Sequence, residues 1–394
     1  MDLDQLAALR TPEGSAALAA AARVAGGDPL AAAVALRSAG MPPALAAAAL
    51  TQAELRRRAV GKFGPPAAGM FLTRAGLEQA TRRPVADRRA ARLRAAGVRV
   101  LADLGCGLGA DAIAAARAGI RVYGVEADPV TAAMAAANAE AAGLAELFTV
   151  ECGDATAFDV GRVDGVFCDP ARRRAGTGRR IFDPNAYSPP WDFVVGLAER
   201  VPYTVVKVAP GIDHALIPAG AEAEWVSADG DLVEAALWCG RLARVPRRAT
   251  LLRGDVAHEL TGSGDAEAPV GPARRFVYDP DPAVVRAHLV AELADALDAT
   301  LADPSIAYLY ADVPAATPFA RCLEVTDVLP FSLKRLRALL RDRRVGRVEI
   351  LKRGSALEPE KLRRDLRLAG DEAASLVLTR VAGAPTVLVC QPVG

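Results

Sequence analysis

The chain has 394 residues, 52% hydrophobic and 24% charged, with 48 Lys+Arg against 47 Asp+Glu. At roughly 100–200 residues per domain that length predicts more than one domain, and the composition excludes a wholly disordered or collagen-like chain. A formal charge of +1 names no partner by itself.

Residues 1–60 predict several short helices. Thr11-Pro12-Glu13 offers an N-cap followed by proline at the first helical position, where its missing N–H costs nothing. Thr51 to Glu54 has the spacing of a capping box and predicts a basic helix over 55–60, broken by the stretch 61–69. Between Arg56 and Arg94 eleven Lys/Arg face Glu78 and Asp87. A solvated helix face and a rim that meets an anionic ligand both suit such a run.

From residue 98 strands and helices alternate. Strands are predicted at 98–104, 121–126, 147–150, 163–168 and 203–208, with small-residue helices at 108–118 and 129–142. That alternation predicts a parallel sheet covered on both faces. Runs at 223–227 and 232–239 flank the tight turn Ala228-Asp229-Gly230 and predict a hairpin that adds an antiparallel strand. Residues 241–275, rich in Arg, Gly and Pro, read as a linker or small β excursion. The C-terminal stretch predicts a separate unit: a strand at 322–325, basic helices at 332–341 and 358–368, and strands at 345–351, 376–381 and 386–391.

Six cysteines and three widely spaced histidines form no C-x-x-C pair or metal-ligand spacing, so neither a metal site nor a disulfide framework is expected. The acidic start Met1-Asp2-Leu3-Asp4 is unlike a signal peptide. The longest uncharged run, 38–53, is short and broken by Pro42-Pro43, so no membrane span is expected. These features predict a cytoplasmic protein with reduced thiols.

The most informative stretch is Asp103-Leu104-Gly105-Cys106-Gly107-Leu108-Gly109, where a strand ends and a helix begins. Alternate glycines let the backbone turn tightly and let a ligand approach N–H groups at the helix start. Glu126 ends the second strand, where a carboxylate can accept ribose hydroxyls, and Asp128 is placed to cap the next helix. Asp154 follows the third strand. Together these motifs resemble the class I S-adenosylmethionine (SAM)-dependent methyltransferases over residues 85–240. The resemblance implies a Rossmann-like seven-stranded sheet and SAM as cofactor. Asp103, Gly105, Gly107 and Gly109 would line its methionine end, Glu126 would hold its ribose and Asp154 its adenine. A nicotinamide-binding fold fits less well, since its glycines are usually spaced G-x-G-x-x-G.

The fourth motif, Cys168-Asp169-Pro170-Ala171-Arg172, ends the fourth strand, beside the expected methyl group. Amino-methylating relatives read Asn/Asp-Pro-Pro-aromatic here, and this chain departs from them at Ala171 and Arg172. Uracil-C5 RNA methyltransferases read Asp-Pro-Pro-Arg but need a cysteine after the fifth strand, where this chain has Val206-Lys207-Val208-Ala209-Pro210-Gly211. The reading is therefore direct transfer to N or O. The candidate catalytic residues are Asp169, with Pro170, to position or deprotonate the acceptor, and Lys207 as a second. Arg172, Arg173, Arg174, Arg179 and Arg180 crowd one loop ahead of Trp191, a pairing of cations and aromatics that suits phosphates and bases.

Residues 327–334 and 348–354 resemble the THUMP-like domain that follows methyltransferase domains in bacterial multidomain proteins, and between Phe331 and Gly370 thirteen Lys/Arg face five Asp/Glu. THUMP domains deliver structured RNA, so the resemblance implies RNA as partner. The expected organisation is an N-terminal helical region (1–84), the methyltransferase domain (85–240), a linker or accessory segment (241–321) and an α+β THUMP-like domain (322–394). The expected function is methylation of N or O in structured RNA. A small-molecule or protein methyltransferase and a non-catalytic SAM- or RNA-binding protein stay open beside it.

Overall fold

A computed structural model describes residues 1–172, 187–254 and 256–393. The chain divides into two compact units, Met1–Glu222 with Ala236–Arg244, and Ala223–Ala235 with Val245–Gly394. Among the described residues no helix is long and apolar enough to cross a membrane.

The first unit begins with α1 (Leu3–Leu9), α2 (Pro12–Val24), α3 (Pro29–Ser38), α4 (Pro43–Phe63), α5 (Arg74–Gln79) and α6 (Arg83–Ala95). Thr11 caps α2 by accepting from Gly14 N, with Pro12 behind it. The helix expected to open at Thr51 is instead the middle of α4. Nothing between 43 and 63 interrupts the hydrogen-bond ladder, and the Thr51 hydroxyl donates back to Ala47 O at 2.9 Å rather than capping. The helix stops at Gly64, whose φ of +67° is left-handed, just before Pro65-Pro66. Leu6, Leu9, Leu18, Ala49 and Phe63 form one core with Leu108 and Met134 of the following domain.

The extended segment that leaves α4 has no strand partner, so side-chain amides satisfy its backbone. Gln52 donates to Leu72 O (2.7 Å) and accepts from Leu72 N (2.9 Å). Asn138 accepts from Phe71 N (2.6 Å) and donates to Phe71 O (3.1 Å) and Leu108 O (3.0 Å). Both side chains are buried, where an unpaired amide would be costly.

The α/β part follows in chain order as β1 (Val100–Leu104), α7 (Ala110–Arg117), β2 (Arg121–Glu126), α8 (Pro129–Ala141), β3 (Phe148–Cys152) and β4 (Gly165–Cys168). The short pair β5 (Ala171–Arg172) and β6 (Tyr187–Ser188) leads to α9 (Trp191–Arg200) and β7 (Tyr203–Val208). The parallel strands lie in the order β3-β2-β1-β4-β7. Strand order reverses between β1 and β4, the place where open α/β sheets bind ligands beyond the carboxyl ends. The expected hairpin is present as β8 (Glu222–Ala228) and β9 (Asp231–Gly240), turned through Asp229 and Gly230, both at positive φ; β9 lies next to β7. These are the seven strands of the expected Rossmann-like sheet, which among the described residues numbers nine rather than seven because two further strands continue it past β8.

In the second unit, β8 pairs in parallel with β10 (Arg247–Arg253), which pairs antiparallel with β11 (Val256–Gly262). A second sheet collects β12 (Phe276–Pro280), β13 (Thr300–Leu301), β14 (Leu309–Ala311), β15 (Ala320–Pro330), β16 (Val345–Lys352), β17 (Glu372–Val381) and β18 (Ala384–Pro392) in the order β13-β14-β12-β15-β18-β17-β16. Helices α10 (Pro282–Arg286) and α11 (Val290–Ala296) precede β13, α12 (Leu333–Asp342) precedes β16, and α13 (Pro359–Leu366) connects β16 to its parallel neighbour β17. The stretch 241–321 is therefore folded along most of its length, and within 241–275 the β10–β11 hairpin is the small β excursion of the two readings. Its arginines engage neighbours, as Arg248 does Glu259 and Arg275 Glu324, instead of solvating a flexible segment.

Candidate functional site

The glycine turn between β1 and α7 is tied to the end of β2. Gly105 N and Cys106 N donate to Val125 O (2.9 and 3.0 Å), and Gly107 N donates to Glu126 Oε2 at 3.0 Å. Gly105, Gly107 and Gly109 all have left-handed φ, of +88°, +54° and +83°. Their surroundings differ. A Cβ on Gly105 would lie 3.2 Å from the Asp169 carbonyl oxygen, and one on Gly109 would collide with Phe148 at 2.7 Å. A Cβ on Gly107 would meet nothing within 4 Å, so the turn is open at its middle glycine.

Asp103, one residue before the end of β1, is buried and neither carboxylate oxygen has a hydrogen-bond partner among the described residues. Burial pushes its carboxyl well above the usual range, and the nearby Asp111 and Asp169 push it further; Arg89 and Lys207 oppose them. An arriving cationic group would satisfy this carboxylate and hold it ionised. Glu126 accepts at both oxygens, from Gly107 N and, at 2.9 Å, from Asp128 N. Asp128 caps α8 through Thr131 N (2.8 Å), as expected. Asp154 is exposed at the end of β3 and caps a single 3₁₀ turn through Thr156 N (2.8 Å). An unpaired acid, an open glycine cradle and a carboxylate at the next strand end fit SAM, whose amino, carboxylate and ribose groups need such partners.

The two candidate catalytic side chains meet. Lys207 Nζ on β7 donates to Asp169 Oδ2 at 2.7 Å, and also to Gln79 O at 3.2 Å. Asp169 is half-buried, its backbone N donates to Leu104 O at 3.4 Å, and Pro170 behind it is buried. The pair thus stands where β4 and β7 end, beside Gly105.

Comparison with known proteins agrees with this geometry. Residues 101–173 match a family model for a methyltransferase domain, 320–392 one described as THUMP domain-like, and 2–59 a domain of unknown function. The chain is 38% identical over 358 residues to an uncharacterized S-adenosylmethionine-dependent methyltransferase of Mycobacterium tuberculosis, covering 86% of this chain and 95% of the relative. The chain belongs to this family of SAM-dependent methyltransferases. A crystal structure of a candidate methyltransferase from Porphyromonas gingivalis shares the fold, with a TM-score of 0.72, 22% identity and coverage of 90% and 92% of the two chains.

Of the other expected site residues, Arg172 and Trp191 lie among the described residues. Trp191 opens α9 with 8% exposure, which leaves little ring surface for a ligand. Arg172 lies in β5, paired with Tyr187 of β6, while Arg173, Arg174, Arg179 and Arg180 lie outside the described residues. Cys106 and Cys168 are buried and their thiols are pushed well above the usual range by burial, so neither is a ready thiolate.

Within the basic run from Arg56 to Arg94, Arg57, Arg58, Arg74 and Arg83 are exposed, while several of the others are tied to the protein. Arg56 donates to Met70 O (2.7 Å) and lies over Phe71; Arg83 pairs with Asp87. Arg89, buried in α6, pairs with Asp111 and stacks on Phe167 with 4.5 Å to the ring centre. Arg92 makes a two-pronged bond to buried Glu222 (2.7 Å each), donates to Leu242 O and covers Trp238 at 3.9 Å. Sequence reasoning missed these groups. The available signal was two arginines three apart on one helix among residues that face a core.

Proposed function

We propose that this SAM-dependent methyltransferase acts on a nitrogen or oxygen of structured RNA, with Asp169 positioning the acceptor. When bound, SAM supplies a methyl group on a positively charged sulfur, open to attack along the line of the departing bond. In this reading Asp103 receives the cofactor's ammonium, the turn at Gly107 admits its backbone, and Glu126 and Asp154 take the ribose and the adenine. Asp169 accepts a hydrogen bond from the acceptor N–H or O–H and aims its lone pair; such alignment carries much of the rate in a displacement that needs no strong acid. Lys207 orients Asp169 through its 2.7 Å hydrogen bond. As the new bond forms, the acceptor proton passes toward Asp169 or to water.

The observation that carries the RNA reading is the outer surface of the THUMP-like domain. Leu336 and Leu340 of α12 and Leu362 and Leu366 of α13 are buried in one core. The exposed positions of the same helices carry Lys334, Arg335, Arg341, Lys361 and Arg364. These five have no ion pair among the described residues, in contrast to Arg343 with Asp327 and Arg353 with Asp279. A row of uncommitted cations on rigid helices suits a phosphate backbone.

The test is transfer of labelled methyl from SAM to size-fractionated RNA, protein and metabolite pools, beside an Asp169→Ala variant. Label in an RNA fraction that the variant loses supports the proposal. Label confined to metabolites or protein replaces RNA by that acceptor. SAM binding with no transfer to any pool favours a non-catalytic protein.

A further inference from the structure

Helix α5 is too short to hold itself, since six residues close few intrahelical bonds. It is anchored from outside at both ends. At its start Thr73 accepts from Gly76 N (3.0 Å), and Gly76 sits so close to Leu108 of the glycine turn that a Cβ there would lie 2.7 Å from Leu108 Cδ1. At its end three successive carbonyls, which carry the partial negative charge of a helix C-terminus, face two lysines. Lys62 Nζ donates to Leu77 O (2.7 Å) and Glu78 O (2.9 Å). Lys207 Nζ donates to Gln79 O (3.2 Å) and to Asp169 Oδ2 (2.7 Å).

We propose that Lys62 is a positioning residue for methyl transfer: by gripping the carboxyl end of α5 it holds the Gln79 carbonyl against Lys207 and so sets the place of Asp169. The inference rests on the reading of Asp169 as the group that orients the acceptor. A lysine that served solubility alone would point its ammonium into water, whereas Lys62 is half-buried beside a second lysine. Burial, then repulsion from Lys207 and Arg82, lowers its pKa to about 8 against the opposing pull of Glu78. Such a placement is unfavourable for the charge and persists because the two carbonyls receive it. Through α5, the glycine turn and the acceptor pair share one support.

The experiment compares wild type, Lys62→Met, Lys62→Arg, Asp169→Ala and the double variant Lys62→Met/Asp169→Ala in the full chain, with labelled SAM and total bacterial RNA. Lys62→Met lowers kcat about tenfold or more while the Kd for SAM stays within about twofold, as expected for a misplaced acceptor group. Lys62→Arg restores most of the rate, and the Met and Ala losses are not additive. A second readout needs no acceptor: the Cε signals of the chain's five lysines resolve Lys207, whose signal moves in Lys62→Met and returns in Lys62→Arg, where the Gln79 carbonyl is again held against it. Should Lys62→Met not fold, Lys62→Gln, which keeps a donor and drops the charge, takes its place. Unchanged kcat and an unchanged Lys207 signal, with Asp169→Ala impaired, overturn the inference, as does strict additivity. Full transfer by Asp169→Ala overturns the reading of Asp169 instead, and the Lys207 signal then decides the clamp.

Discussion

Gly107 and Gly109 both hold left-handed backbone, yet a methyl group would fail at each for a different reason. Either alanine bears the strain of positive φ, about 1–2 kcal/mol. At Gly109 the added Cβ also meets Phe148 at 2.7 Å, so Gly109→Ala lowers the thermal midpoint more than Gly107→Ala does. At Gly107 the added Cβ enters open space beside Glu126, so Gly107→Ala loses SAM affinity out of proportion to its stability. Calorimetric SAM binding beside thermal unfolding of the two variants separates these effects. Equal ratios of lost affinity to lost stability would contradict the assignment. Lys62 gives a pH signature at the same scale. Its folded pKa of about 8 lies below the reference value of 10.5, so the native state releases this proton first. Its contribution to stability is present in full above about 10.5 and is lost as pH falls through about 8. The unfolding free energy of wild type, taken relative to Lys62→Met, therefore rises from pH 7 to pH 10. A flat difference would place Lys62 in water.

Helix α6 shows how an element can look like a charged surface and serve as a core wall. Its mean composition is strongly basic, but Arg89 and Arg92 point inward, onto Phe167 and Trp238. Removing the partner of a buried guanidinium leaves a charge with nothing to offset it, so Glu222→Ala destabilises by about 3–5 kcal/mol in chemical denaturation. A loss below about 1 kcal/mol would mean that Arg92 escapes to solvent. Asn138 presents the analogous case for backbone groups. Asn138→Ala strips partners from Phe71 N, Phe71 O and Leu108 O at once, a loss of several kcal/mol when each buried group costs about 1–3 kcal/mol. Hydrogen exchange at Phe71 N then accelerates.

At the scale of the molecule, the balanced charge conceals a division of labour. Arg89 and Arg92 before β1 are used in packing, while Lys334, Arg335, Arg341, Lys361 and Arg364 of α12 and α13 are exposed. Reversal at Lys361 and Arg364 therefore weakens RNA binding and flattens its dependence on salt, by about one logarithmic unit of slope for each phosphate that is no longer neutralised. Reversal at Arg363 is a poor probe, because that side chain donates to Val348 O at 2.8 Å and supports the fold. Unchanged affinity and slope in the double reversal would remove this surface from the proposed interface.

Local chemistry is what the sequence determined by itself. The alternation of apolar runs, the glycine turn after β1 and the acids at successive strand ends were enough to specify a Rossmann-like sheet, its switch point and a SAM-dependent methyltransferase, because each depends on residues close together in the chain. Capping residues, too, were legible at Thr11 and Asp128, where the hydrogen bond spans three residues. Only the tertiary structure decided which charges are buried, since burial depends on elements distant in sequence: Arg92 meets Glu222 across 130 positions, and Lys207 meets Asp169 across 38. For the same reason Arg89 and Arg92 could not be told from the exposed arginines of the same run until Asp111 and Glu222 were in place. A side chain's charge can be read from its letter, but the partner that offsets it comes from the fold.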